Sequence, residues 1–338
     1  MHGRTRLADV ADAAGVSTAT VSRVLNGKPE VAADTRAAVL AALDQLGYER
    51  PERLRSRSAG LIGLIVPELT NPVFPAFAQS IESVLATLGY TPLLCTQSPG
   101  GTTEDQYIEL LLDHDVDGIV FVSGMHADTR ADVTRYKRLQ SSQVPFVLIN
   151  GYTGAVEAPA FSTDDVGSMD LAVRHLVSQG HRTLGLALGP ERFVPVARKH
   201  SGFEAAVAAH LPDGVGHVVS TLFTAEGGQS AATVLIDQGC TAIICGSDLM
   251  ALGAMRAARS LGMVVPRDLS VIGFDDSPLI AFTEPPLTTL RQPVDAMSRA
   301  AVTSLVAAVH GESVPARELL FGTELIVRDS TAAAPGRG

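Results

Sequence analysis

Apolar residues recur along this chain with two different rhythms, and the change falls near residue 60. Before it the period is helical. Leu7, Val10, Ala11 and Ala14 stand at i, i+3, i+4 and i+7, the buried stripe of one helix. Gly15 follows at once, where a left-handed cap needs no Cβ. Ser17 is placed to N-cap a second helix, from Thr18 to about Asn26. With successive residues turned by about 100°, Val21, Val24 and Leu25 share one side of it. Thr18, Ala19, Ser22, Arg23 and Asn26 share the other, and Pro29 ends the run. A third helix is predicted from about Asp34 to Leu46, burying Val39, Ala42, Leu43 and Leu46 and stopping at Gly47.

From Leu61 onward, short β-rich runs alternate with helical stretches. The predicted strands are Leu61–Val66, Thr91–Thr96, Gly118–Val122 and Phe146–Asn150, then Leu184–Leu188, His217–Thr221, Ala242–Gly246 and Ser270–Phe274. Helical patterns such as Phe74–Leu88, Met169–Gln179, Phe203–His210 and Leu249–Leu261 lie between them. That alternation predicts parallel sheets with helices on both faces, and two series of strands predict two similar lobes. The expected fold is therefore an all-α helix-turn-helix headpiece followed by an α/β body of two doubly wound lobes.

Two short helices joined by a glycine turn and braced by a third suit a helix that enters a DNA groove. Bulky residues on its leading face would hold it away from the bases. Thr18 and Ala19 can set methyls against a thymine methyl, and Arg23 can bond guanine O6 and N7 bidentately. Ser22 and Asn26 suit phosphate oxygens. The plainer reading is a three-helix bundle with a polar outer face. Charge adds a little: residues 1–60 carry nine Lys or Arg against seven Asp or Glu, while the whole chain is −10. A basic end on an acidic body points to a polyanion at that end only.

In doubly wound sheets ligands bind at the carboxyl ends of strands. Glu68, Ser123, Asn150, Ser247, Asp248, Asp275 and Asp276 fall there. Short acids and amides can accept paired hydrogen bonds from neighbouring sugar hydroxyls, and Phe74 and Phe223 can cover an apolar ring face. For any one of them the plainer role is capping the helix that follows.

The 338 residues exclude several classes. The longest apolar runs fall far short of the ~20 residues of a membrane helix, and the N-terminus, MHGRTRLADV, has no signal-peptide core. Three cysteines, Cys95, Cys240 and Cys245, make neither a disulfide framework nor a zinc site. A cytoplasmic protein without metal, cofactor or membrane partner is expected. No nucleotide-binding loop, nucleophile elbow or zinc-protease motif occurs, and the spacing of Cys245 with His181 or His200 supports no catalytic pair, so no enzyme is expected.

LADVADAAGVSTATVSRVLNGKPEVAADTRAAVLAALDQLGY, with its AGVS, TVSRVLNG and LGY phrases, resembles the DNA-binding domain of the LacI/GalR family of bacterial repressors. In that family the base-reading positions open the recognition helix, which places them here on Thr18 and Ala19, with Arg23 one turn on. The resemblance implies DNA-contacting candidates Arg6, Ser17, Thr18, Ala19, Thr20, Ser22, Arg23, Asn26, Arg53 and Leu54. The segment ERPERLRSRSAG, residues 49–60, matches the family's hinge, in which a leucine wedges into the minor groove about seven residues after a proline. Here Ser58 stands at that distance from Pro51, and Leu54 is the apolar candidate. Arg53, Arg55 and Arg57 can instead bind phosphates or a narrowed groove, and a solvated tether is the plainer reading.

LIGLIVPELTNPVF, VDGIVFVS, HLVSQGHRTLGLALGP and SDLMALGAMRAARSLGMVVPRDLSVIGFDDSPLIAFTEPPLTTLRQP are similar to the family's regulatory domain, itself like periplasmic sugar-binding proteins. This implies domains at 1–48, 49–60 and 61–330, with a tail at 331–338. One lobe would take about 61–160 and 293–320, the other about 161–290 and 321–330. Ligand positions carried over residue by residue fall on Phe74, Asn150, Phe223 and Asp275, with Asp248 beside another. The family's effector-gripping arginine is Lys199 here, with Arg198 just before it; lysine lacks the planar fork. Phrases such as SPGGTTEDQY and LGPERFVPVARK resemble actinobacterial maltose-utilisation repressors in particular. The implied partners are operator DNA, a maltose-like α-glucoside and a second copy of the chain; no heptad-rich segment follows Asp329, so a homodimer is expected. A non-sugar effector, or a sugar-binding protein without regulatory role, is the alternative.

Overall fold

The computed structural model describes residues 7–25, 31–46, 59–97 and 100–336. They fall into two compact units, 1–59 and 60–338. Arg6, Asn26, Arg53 and Leu54 lie outside the described residues, as does the hinge segment from Glu49 to Ser58.

In the first unit α1 (Leu7–Ala14), α2 (Thr18–Leu25) and α3 (Ala33–Gln45) enclose a small core. Gly15 adopts φ +63°, and Val16 N–H reaches back to Ala11 O at 3.0 Å, closing α1 as the missing Cβ allows. Ser17 Oγ then accepts from Thr20 N at 3.2 Å and caps α2. Val10, Ala11, Val21, Val24, Leu25, Val39, Ala42 and Leu43 form the buried cluster. Leu46 packs on its edge.

The second unit opens with β1 (Gly60–Val66), α4 (Val73–Thr87), β2 (Tyr90–Thr96), α5 (Glu104–Asp113), β3 (Gly118–Val122), α6 (Thr134–Ser141), β4 (Phe146–Ile149) and β5 (Ala160–Thr163). There follow α7 (Asp165–Ser178), β6 (Thr183–Leu188), α8 (Val194–His210), β7 (Val215–Ser220), α9 (Ala225–Asp237), β8 (Ala242–Cys245), α10 (Asp248–Ser260) and β9 (Ser270–Asp275). It closes with β10 (Thr288–Arg291), α11 (Val294–Val309), β11 (Glu318–Phe321) and β12 (Glu324–Ile326). Two six-stranded sheets result, ordered β2-β1-β3-β4-β5-β11 and β7-β6-β8-β9-β10-β12. All pairings are parallel except β10 with β12.

Every residue of β3, β4 and β8 is buried, as expected of strands covered on both faces. One face of the first sheet packs against α4 and α11 through Phe77, Ile81, Met297 and Leu305, the other against α5 and α6 through Leu111, Tyr136 and Leu139. The second sheet lies between α9 with α10 and α7 with α8.

The chain passes between the lobes three times: after β5, after β10 and after β11. The first and third crossings come later than the expected 160/161 and 320/321. β5 pairs with β4 and β11 as far as Thr163, and β11 continues through Phe321, so both strands belong wholly to the first lobe. Strand β1 likewise begins at Gly60, inside the segment expected to be linker. The supposed tail packs on the second lobe: Ala332 N donates to Ser270 Oγ at 3.1 Å, and Ala334 N to Gln179 O at 2.9 Å.

Candidate functional site

On α2 the buried side is Val21, Val24 and Leu25; Thr18, Ala19 and Arg23 are exposed on the other, with Ser22 half-buried. Ser17 and Thr20 are engaged in the cap, their hydroxyls 2.9 Å apart. An α2 anchored by three aliphatic residues thus presents two methyl-bearing side chains and a guanidinium outward.

In the body, the carboxyl ends of the two sheets face one another. Asp128, beyond β3, makes a β-bridge with Phe193, beyond β6, and Thr129 N and Oγ1 both donate to Arg192 O at 2.9 Å. Arg192 Nε also reaches Asp128 Oδ2 at 2.8 Å. This is the lip where the two lobes touch. At the floor below it they meet in a buried chain of bonds. Asn150, just after β4, accepts from Thr163 N at 3.0 Å and donates Nδ2 to Gln292 Oε1 at 3.3 Å. Thr163 Oγ1 donates to the same Gln292 oxygen at 2.7 Å, and Gln292 Nε2 donates to Asp275 Oδ1 at 2.6 Å. Gln292 sits in the second crossing, so one amide joins Asn150 of the first lobe to Asp275 of the second.

Backbone strain collects at the same strand ends. Ser123, Asn150, Asp275 and Asp276 hold φ of 46°, 56°, 116° and 62°. Left-handed conformations are costly for residues with a Cβ, and clusters of them mark binding and catalytic sites.

Lys199, inside α8, is buried; its Nζ pairs with Asp165 Oδ1 and lies 3.9 Å from the centroid of the Phe274 ring. Asp275 follows Phe274 directly. Asn150, Asp275 and Lys199 are therefore brought together. Burial pushes the Asp275 carboxyl well above the usual range, helped by the charge of Asp248 and opposed by the Gln292 bond and by Lys199. Burial also raises Asp165, against the pull of Lys199.

Two expected ligand residues are turned elsewhere. Asp248 opens α10 with Oδ1 accepting from Thr289 Oγ1 at 2.7 Å and Oδ2 from Ser277 N at 2.6 Å. Burial raises its carboxyl to about 6 in spite of those bonds. It braces the helix with bonds that stay within its own lobe, whereas those of Asn150 and Asp275 meet Gln292 at the crossing. Arg198 lays its fork on Glu318, at 2.7 and 2.9 Å, and donates to Tyr152 O at 3.1 Å. It is a strut between α8 and the first lobe, since adjacent helix residues point about 100° apart. The half-buried Phe74 packs on the core beneath α4 and α11. Phe223, also half-buried, occupies the space that a side chain at Gly189 would need, at the end of β6.

Cys245 and His181 are at opposite ends of their sheet: Cys245 ends β8, while His181 bonds Thr241, Ser270 and Ala332 at the strand starts. His200 lies between Glu191 and Glu204. Burial pushes the Cys245 thiol far up, away from the reactive thiolate. Among the described residues no cluster of His, Cys, Asp and Glu is placed to hold a metal ion, and no helix is long and apolar enough to cross a membrane.

Residues 6–51 match the family described as bacterial regulatory proteins, lacI family, and residues 173–331 match a periplasmic binding protein-like domain. The chain is 61% identical over 338 residues to HTH-type transcriptional regulator reg1 of Streptomyces lividans, covering 98% of each. This chain belongs to the lacI family. It is also 60% identical over 337 residues to HTH-type transcriptional regulator MalR of Streptomyces coelicolor, again covering 98% of each. Among solved structures, the transcriptional regulator CelR–cellobiose complex superposes with a TM-score of 0.69 at 29% identity, over 97% of this chain and 100% of that one. The lac repressor dimer bound to operator and the anti-inducer ONPF gives 0.70 at 27%, over 97% and 99%. Like these relatives, this lacI-family member is a DNA-binding transcriptional regulator with a helix-turn-helix headpiece and a two-lobed periplasmic-binding-like body.

Proposed function

We propose that this regulator is a homodimeric repressor acting in the cytoplasm, whose α2 reads operator DNA and whose interlobe floor binds a small neutral sugar, a maltose-like α-glucoside above all. Residues 1–48 serve as the DNA-binding unit, 49–60 as the hinge and 61–330 as the sensing body. Arg6, Ser17, Thr18, Ala19, Thr20, Ser22, Arg23, Asn26, Arg53 and Leu54 are assigned to DNA. Asn150, Lys199 and Asp275 are assigned to the effector at the floor, with Phe74 and Phe223 as apolar walls. The observation that carries this reading is the Asn150–Gln292–Asp275 chain, which ties both lobes to groups suited to hydroxyls at the point where the chain crosses. Similarity to the Streptomyces regulator named MalR favours maltose among sugars.

A homodimer places two headpieces on a pseudo-palindrome and doubles the few base pairs one short helix can read. Leu279 and Phe282, beside the buried Ile280, are 76% and 84% exposed in the single chain, large apolar groups of the kind a partner subunit covers. Gel-shift titration of the chain's own promoter fragments, with and without maltose, maltotriose, cellobiose, lactose and nucleobases, tests the function. Sedimentation tests the dimer against the 35.3 kDa monomer. Retarded fragments whose affinity shifts with maltose support the proposal; a shift produced only by a nucleobase replaces the sugar with that ligand.

A further inference from the structure

One ammonium meets two carboxylates at the interlobe floor, and the way they pair bears on what can enter. Lys199 Nζ is bound to Asp165 Oδ1 and rests on the Phe274 ring, the two charged side chains being 8% and 3% exposed. Asp275, next along β9, lies near enough to feel the charges of both. An ammonium buried on a ring face would by itself be a strong seat for a phosphate or carboxylate. Here Asp165 already holds it.

Neighbouring positive groups are occupied in the same manner. Arg198 is taken by Glu318, and Arg192 at the lip by Asp128. At the start of α7, Asp164 Oδ1 accepts from Gly167 N at 3.0 Å. An anion entering this floor would therefore approach Asp165 and Asp275 with the nearby cations each already paired to a carboxylate. A hydroxyl meets no such obstacle, since it can donate to a carboxylate and accept from the ammonium at once. Unpaired charge in so buried a place is costly, which makes the discrimination steep.

We infer that Asp165 is a specificity-determining residue: by holding Lys199 it confines the interlobe site to uncharged polyhydroxylated ligands and shuts out phosphorylated and carboxylated sugars. The inference rests on the proposal that the effector binds between the lobes.

Calorimetry on the full-length chain with matched pairs tests it, namely maltose against maltobionate and glucose against glucose 6-phosphate. The wild-type chain should prefer the neutral member by about 100-fold or more. Asp165→Asn, which keeps the shape and removes the charge, should narrow that ratio at least about tenfold, the gain falling on the anion. Asp165→Ser, which leaves the cap that Asp164 forms on α7 in place, gives the same reading should the amide fail to fold by circular dichroism. An unchanged ratio in either folded variant, or equal wild-type affinity for both members of a pair, overturns the role of Asp165. Failure of the wild-type chain to bind either member of any pair overturns the interlobe reading itself, and this inference with it.

Discussion

Arg23 stands exposed on the same side of α2 as Thr18 and Ala19, while Val21 and Val24 fix the opposite side in the headpiece core. A guanidinium can pair with one guanine in two parallel bonds, so if Arg23 reads a base its loss should be felt at one position of the operator. Arg23→Ala is expected to weaken discrimination at that base pair by ~1–3 kcal/mol, measured by anisotropy on a set of single-base operator variants. An unchanged ranking would remove Arg23 from base reading. Asp275 makes the corresponding claim for the body. Asp275→Ala should leave the affinity for DNA alone within about threefold, but reduce or abolish its response to maltose. At this scale the places of Asn150 and Asp275 at strand ends were legible, because an apolar run that closes on a short polar residue marks where a buried strand stops. Lys199 and Arg198 were not separable. Which of two consecutive helix residues faces the floor is decided by how α8 is rotated, and that depends on α7 packed beside it. Gln292 escaped notice because its partners stand 17 to 142 positions away in sequence.

Among elements, the headpiece depends on very few contacts. Among the described residues eight buried aliphatic ones hold three helices, two of them only eight residues long. Leu43→Ala truncates a fully buried leucine in the last turn of α3, at a cost of about 2–5 kcal/mol. So small a unit has little stability to lose. The expected outcome is a chain that no longer retards operator DNA yet binds maltose as before in calorimetry; a chain that loses both would show that the body depends on the headpiece for its fold. The crossing at Gln292 is the element-scale counterpart in the body. Gln292→Met would take the acceptor from Asn150 Nδ2 and the donor from the Asp275 carboxyl in a buried place, and should lower stability to urea by about 1–3 kcal/mol. Helices α1 to α4, α7 and α10, the second half of α8, and strands β1 to β4 and β6 to β9 were readable from their local patterns. The expected lobe boundaries near 160/161 and 320/321 cut through β5 and β11, since Ala160 pairs with Glu318 far along the chain and no local pattern tells a short apolar run which sheet it joins.

For the molecule as a whole, the two activities are assigned to different units, and regulation means that each alters the other's equilibrium. Three crossings join two separate sheets, and the Asn150–Gln292–Asp275 chain lies where any change of angle between them would be felt. A sugar preferring one lobe arrangement must shift DNA affinity, and by linkage DNA must shift sugar affinity by the same factor, usually ~5–150-fold. The most direct test is therefore reciprocal: operator affinity of the full-length chain measured with and without saturating maltose, and maltose affinity with and without saturating operator. The account predicts two equal factors clearly different from one. Operator binding that ignores maltose, together with maltose binding that ignores operator, would contradict it.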